Sequence, residues 1–155
     1  LEDTLVVEKV GPYLKNARKR ILTSPRYYFF DTGVRNALAR VPLTPELLNA
    51  DKGMLFEHAV ILELIRRIRA QQLDYTVHYW RTGGGAEVDC VIDTGKEIIP
   101  IEIKAGGKAA LSGLRGLTSF IDTYKGKVRK AFVITQGRAP ERLSDMITAL
   151  PWTHL

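Results

Sequence analysis

A single cysteine, Cys90, is all the sulfhydryl chemistry this chain has, so an intramolecular disulfide and a cysteine-based zinc cluster are both excluded. Dispensing with such crosslinks suits a reducing compartment, and a cytoplasmic location is the expectation. Cys90 falls on an apolar strand face, where a packed core thiol is expected. Long apolar runs are missing too. No stretch approaches the roughly 18 apolar residues of a membrane-spanning helix, and no secretory leader pattern opens the chain. No membrane partner is expected. Histidines are few, and His58, His78 and His154 are scattered without ligand spacing. Gly83-Gly84-Gly85 is not a phosphate loop, because no Gly-Lys-Ser/Thr follows and a strand pattern comes next. It reads as a turn. The first residue is Leu1 rather than methionine, which sets the expectation of a piece of a longer polypeptide.

What is present describes one folded domain with a real core. Of 155 residues, 45% are hydrophobic and 26% charged, a balance that excludes a disordered chain. The net charge of +6 favours a polyanionic partner such as DNA. Basic residues cluster at 15–20 (KNARKR), 66–69 (RRIR) and 125–130 (KGKVRK). Each can contact phosphates without reading sequence. The RRIR run reads equally well as the solvated face of a helix.

Hydrophobic periodicity gives the element order. Residues 1–10 read as a short strand or a lead-in ended by Gly11-Pro12. The aromatic run RYYFF at 26–30 reads as a strand, followed by Asp31 as the N-cap of a short helix through Ala39. Residues 41–52 form a loop or a single helical turn. A long helix is predicted over 52–70, then strands over 75–80, 86–93 and 97–104. A second helix is predicted over 111–124, with Leu111, Leu114, Leu117, Ile121 and Tyr124 on one stripe. A buried strand over 128–135 follows, and Pro140 opens a last helix through Ala149. Residues 1–50 are expected as an N-terminal extension packed on a core formed by 51–155. The expected fold is therefore α/β, a mixed sheet flanked by helices, with a core of helix, three strands, helix and strand.

Chemistry concentrates in AEVDCVIDTGKEIIPIEIKA, residues 86–105. Residues two apart on a strand share a face. Ile99, Ile101 and Ile103 then share one face, with Glu102 and Lys104 on the other. On the preceding strand Glu87, Asp89 and Val91 oppose Val88, Cys90 and Ile92. Antiparallel neighbours of this kind can bring Asp89 and Glu102 together with an ammonium beside them. Clustered carboxylates repel unless a cation lies between them, and an all-oxygen set suits Mg2+. The bland alternative is a solvated sheet face with cross-strand ion pairs.

Glu57 weighs against that alternative. On a wheel of about 100° per residue it lies amid Val60, Ile61, Leu64 and Ile68, where an unpaired carboxylate costs several kcal/mol. A salt bridge to an arginine such as Arg81 is one account of it; a cation shared with Asp89 and Glu102 is the other. Tyr79, Trp80 and Arg81 can clamp a nucleic acid strand, although the two aromatics fit core or edge packing better.

With Glu on the first core helix, Asp on the second core strand and Glu-x-Lys on the third, the chain resembles the PD-(D/E)XK, or restriction-endonuclease-like, nuclease superfamily. Its closer resemblance is to a domain of unknown function forming the C-terminal part of many bacterial and archaeal AAA+-type ATPases. The segments that carry it are YYFFDTGVRNAL, KGMLFEHAVILEL, YWRTGGGAEVDCVI and IPIEIKAG. They span most of the chain between residues 26 and 106. One departure is Val88, where the superfamily's name has proline.

That resemblance implies a Mg2+-dependent DNA endonuclease, with Mn2+ as an alternative ion. Asp89, Glu102 and Glu57 would bind the metal, and Lys104 would orient or activate the attacking water. Glu87 is an additional candidate ligand. Arg66, Arg67, Arg81 and Lys108 are the candidate nucleic-acid contacts. The implied partners are DNA and an upstream ATPase domain of the same polypeptide, and a homo-oligomer is compatible. The same resemblance also allows a catalytically inactive module for nucleic-acid or protein docking.

Overall fold

The computed structural model describes residues 6–14, 24–42 and 44–155. Strand β1 (Val7–Pro12) pairs antiparallel with β2 (Arg26–Phe29). Two short helices follow, α1 (Thr32–Leu38) and α2 (Pro45–Ala50), and then the long α3 (Lys52–Ala70). Next come β3 (Thr76–Arg81), β4 (Glu87–Asp93), β5 (Ile98–Lys104), α4 (Arg115–Thr123) and β6 (Ala131–Thr135). The chain closes with β7 (Glu141–Arg142) and β8 (Ile147–Pro151). The eight strands make one mixed sheet in the order β2-β1-β3-β4-β5-β6-β8-β7. It is an α/β fold with helices on both faces.

Strand alternation gives each face its own core. On one, Val60, Ile61, Leu64 and Ile65 of α3 pack on Cys90, Ile101, Ile103 and Ile134. On the other, Leu117 and Phe120 of α4 pack on Val88, Val91, Ile98 and Val133. The α3 residues recur at helical spacing, which is why this helix is legible in sequence. Ile99, Ile101 and Ile103 share the α3 face as alternation requires. Asp31 caps α1, its side chain accepting from the Val34 amide at 2.9 Å. Asp31→Ala should cost about 1 kcal/mol in a urea melt. A loss indistinguishable from zero would show that α1 holds its place without the cap.

Three expectations need correction. Gly11-Pro12 is no break after residue 10 but the last two residues of β1: Gly11 pairs with His78 and Pro12 with Tyr79, parallel to β3. The amide that proline lacks would face the β2 side, where pairing begins only at Val10 opposite Arg26. The Tyr13 amide supplies the next bond, to Tyr79 O at 2.6 Å. Next, the second helix starts at Arg115, not Leu111, after a single 3-10 turn over Leu111–Gly113. Leu111 is exposed, and Phe120 takes the core position beside Leu117. Last, no helix forms after Pro140. Ile147–Pro151 runs parallel to β6, and Glu141–Arg142 folds back on it. Burial there alternates with period two, while the Ser144 hydroxyl accepts from the Met146 and Ile147 amides and stabilises a turn.

Candidate active site

The site begins with an irregularity in β4. Trp80 opposes Val88 while His78 opposes Val91, so β4 carries one residue more than β3 across that interval. Such a bulge resets the alternation. Val91 therefore joins Val88 on the α4 face, whereas Cys90 and Ile92 face α3. Asp89 and Val91 do not share a face as strict alternation would have it. Asp89 stands at the bulge, where pairing with β5 extends only to Cys90–Ile101. Its Oδ2 accepts the Ile103 amide at 2.8 Å, fixing the carboxylate across the strand pair.

Glu102 lies one residue from that anchor and is only 8% exposed. Its Oε1 accepts from Lys104 Nζ at 2.8 Å. Its Oε2 is buried with no hydrogen-bond partner among the described residues. A buried acceptor left in this state costs on the order of 1–3 kcal/mol. Burial, reinforced by the charge of Asp89, lifts the Glu102 carboxyl to about 7. Burial likewise lifts Asp89 to about 6, against the hydrogen bond from Ile103 and with a further push from Glu57. Burial works against the charge of Lys104, yet the bond to Glu102 and the fields of Asp89 and Glu57 raise its pKa on balance. The charge of Glu57 thus reaches Asp89 and Lys104, while Glu102 answers to Asp89 and Lys104.

Glu57 approaches from α3. It is half-buried and engaged, accepting from Tyr28 Oη at 3.1 Å and from Arg26 Nη1 at 3.4 Å. The other arm of the Arg26 guanidinium donates to Glu87 Oε1. Glu87 Oε2 meets Arg81 Nε at 3.6 Å. The arginine facing Glu57 is therefore Arg26, and Arg81 serves Glu87 instead. Arg26 also lies 4.5 Å from the centre of the Tyr79 ring. Although burial opposes its charge, the bond to Glu87 holds Arg26 firmly protonated.

Arg26 and Tyr28 are the residues that sequence reasoning missed. The signal was present: on a strand over RYYFF, Arg26 and Tyr28 share a face, and an arginine on a half-buried face calls for carboxylates. His58, beside Glu57, is buried against β2, with Nε2 2.7 Å from Phe29 O and its ring edge-on to Tyr28. Tyr79 and Trp80 are both packed in the core. Cys90 is wholly buried, its thiol pushed up to about 12 by burial.

The proposed phosphate contacts are dispersed. Arg81 and Lys108 are exposed near the ends of β3 and β5. Arg66 and Arg67 sit roughly 14 Å further along α3 than Glu57, at 1.5 Å per residue. There Arg66 donates to Phe30 O and Arg67 to Glu63 at 2.6 Å. Both line a cleft of about 630 Å³ with Phe30 and Trp152. The KNARKR run lies outside the described residues.

Asp89 and Glu102 offer only oxygen donors, the set a hard divalent cation takes. The partnerless Glu102 Oε2 is an acceptor that such an ion would satisfy. Among the described residues, however, no three His, Cys, Asp or Glu side chains converge as a metal cluster. By alternation Glu102 belongs to the α4 face while Glu57 comes from the α3 face, and the Asp89 bulge lies between them.

An acid pair with a lysine, set at a strand irregularity in a sheet with helices on both faces, is the site this α/β domain presents. The chain belongs to DUF4143, a family described as a domain of unknown function, which matches residues 52–155. It is also 28% identical over 152 residues to uncharacterised proteins of Mycobacterium bovis (Mb2031c) and Mycobacterium tuberculosis (Rv2008c). Each alignment covers 97% of this chain and 33% of the relative, so the chain spans about a third of their length. No solved structure matches the chain. Among the described residues no helix is long and apolar enough to cross a membrane.

Proposed function

We propose that this domain is a Mg2+-dependent DNA endonuclease of the restriction-endonuclease-like class, working as the C-terminal part of a larger AAA+-type ATPase. The single observation that carries this reading is the Glu102 carboxylate, buried beside Asp89 and Lys104 with one oxygen unpartnered. A sheet that needed only a solvated ion pair would not bury that oxygen. The order helix, three strands, helix and strand supports the same reading. Asp89 and Glu102 would hold the ion, with Glu57 completing the set. When bound, Mg2+ supplies charge stabilisation at the phosphoryl oxygens and an acidified water. Asp89 is positioned for its part by the Ile103 amide, and the Lys104 ammonium by Glu102. Lys104 would orient the attacking water against the phosphate, with no covalent intermediate. Exposed Arg81 and Lys108 would hold the flanking backbone.

A second reading has one observation in its favour. Because no three acids converge among the described residues, the same fold can serve as a docking module without chemistry. Branched, single-stranded and duplex DNA incubated with Mg2+ or Mn2+ separates the two. The wild type is expected to nick at least one substrate, and Asp89→Asn or Lys104→Ala to lower the rate by about a hundredfold or more. Equal nicking by wild type and variants would expose a contaminant. No nicking of any substrate would favour the docking module.

A further inference from the structure

Arg26 reaches two carboxylates of different elements, Glu57 on α3 and Glu87 on β4. Its side chain is only 26% exposed and stacks on Tyr79, so it is held rather than freely swinging. The charges around the site are nearly balanced: Glu57, Glu87, Asp89 and Glu102 face Arg26, Arg81 and Lys104. A guanidinium between carboxylates performs the same electrostatic task as a metal ion, since each relieves their mutual repulsion.

From this we infer that Arg26 is a positioning residue that competes with the divalent ion for Glu57, an internal counter-cation that must release that carboxylate before the metal set is complete. The inference rests on the reading of Asp89 and Glu102 as metal ligands. Geometry makes the exchange accessible. Arg26 keeps its Glu87 partner when Glu57 leaves, because separate nitrogens serve the two acids. Tyr28 Oη stays near Glu57 as a neutral donor. Glu87, claimed by Arg26 and Arg81, would stay off the metal.

Calorimetric titration of the protein with Mn2+ tests this without reference to cleavage. Removing the competing charge in Arg26→Gln should tighten Mn2+ binding about tenfold. A residue with a merely structural role would, when replaced, loosen the site and weaken binding. Adding Glu57→Gln to Arg26→Gln should abolish the gain, because the released ligand is then gone. Arg26→Lys keeps the charge but loses the fork, and should tighten binding by less, about threefold. That variant carries the test if Arg26→Gln does not fold. Equal affinities for wild type and the Arg26 variants would overturn the inference alone, leaving the metal site standing. So would a tenfold gain that survives Glu57→Gln undiminished. No Mn2+ binding by any of these proteins would overturn the metal site, and this inference with it.

Discussion

Glutamine at position 102 is expected to stabilise the metal-free protein at neutral pH and to abolish cleavage. In the fold, burial first and the Asp89 charge second raise the Glu102 carboxyl from an ordinary 4.5 to about 7. Between those values the folded protein keeps a proton that the unfolded chain has lost. Stability therefore falls as pH rises through that window and levels off above it. For a carboxyl this deeply buried the whole effect is on the order of 3 kcal/mol. Glutamine has no charge to desolvate and still offers an oxygen to Lys104. Urea unfolding in EDTA at pH 5 and pH 8 should thus show Glu102→Gln gaining on the wild type by about 2–3 kcal/mol across the interval. Asp89, raised in the same direction, keeps some slope in both proteins. His58, whose pKa burial lowers, contributes the opposite slope near its titration; common to both, it cancels in the difference. Adding Mn2+ should stabilise the wild type and not the variant. A gap that stays constant from pH 5 to pH 8 would mean that Glu102 is not the strained group described above.

The second large effect is steric. Gly116 lies in the first turn of α4, where the helix crosses β4 so closely that an added Cβ would overlap the Glu87 carbonyl oxygen and crowd the Glu87 amide. Backbone atoms have no rotamer to change, so the helix or the strand must move. Gly116→Ala gains helix propensity of roughly 1 kcal/mol. Overpacking costs about 1–3 kcal/mol even where side chains can yield. With a fixed carbonyl as obstacle we expect a net loss of about 3 kcal/mol, read by denaturant melts. Metal affinity should fall as well, because Glu87 and Asp89 share the displaced strand. An alanine variant as stable as the wild type would mean that α4 can stand further from β4 than it does here.

How much of this was legible in sequence follows from what each signal depends on. The long α3 announces itself through Val60, Ile61 and Leu64, and β5 through its alternating isoleucines, because one buried face dictates both patterns. Asp31 was legible as a cap, since capping needs nothing beyond three residues of backbone. The β4 bulge was not, because an extra residue shows only against its partner, and Glu87–Asp93 alone reads as strict alternation. The last strand failed for a related reason. Residues 140–149 carry helix-favouring Pro and Glu at the start, and only pairing with β6 decides otherwise. The site splits the same way. Asp89, Glu102 and Lys104 stand close together in sequence and were found together. Arg26, some thirty residues before Glu57, could be matched to it only once β2 was seen lying against α3.

The stretch matching DUF4143 starts at residue 52, whereas Arg26 and Tyr28 come from the second strand of the sheet. A fragment trimmed to that boundary would discard the guanidinium and the phenol that tether Glu57. It would also bare the edge of β3 that Gly11 and Pro12 now cover, leaving a strand free to recruit another copy of itself. Two short strands, Val7–Pro12 and Arg26–Phe29, thus do double duty, shielding a sheet margin and anchoring an acid of the long helix.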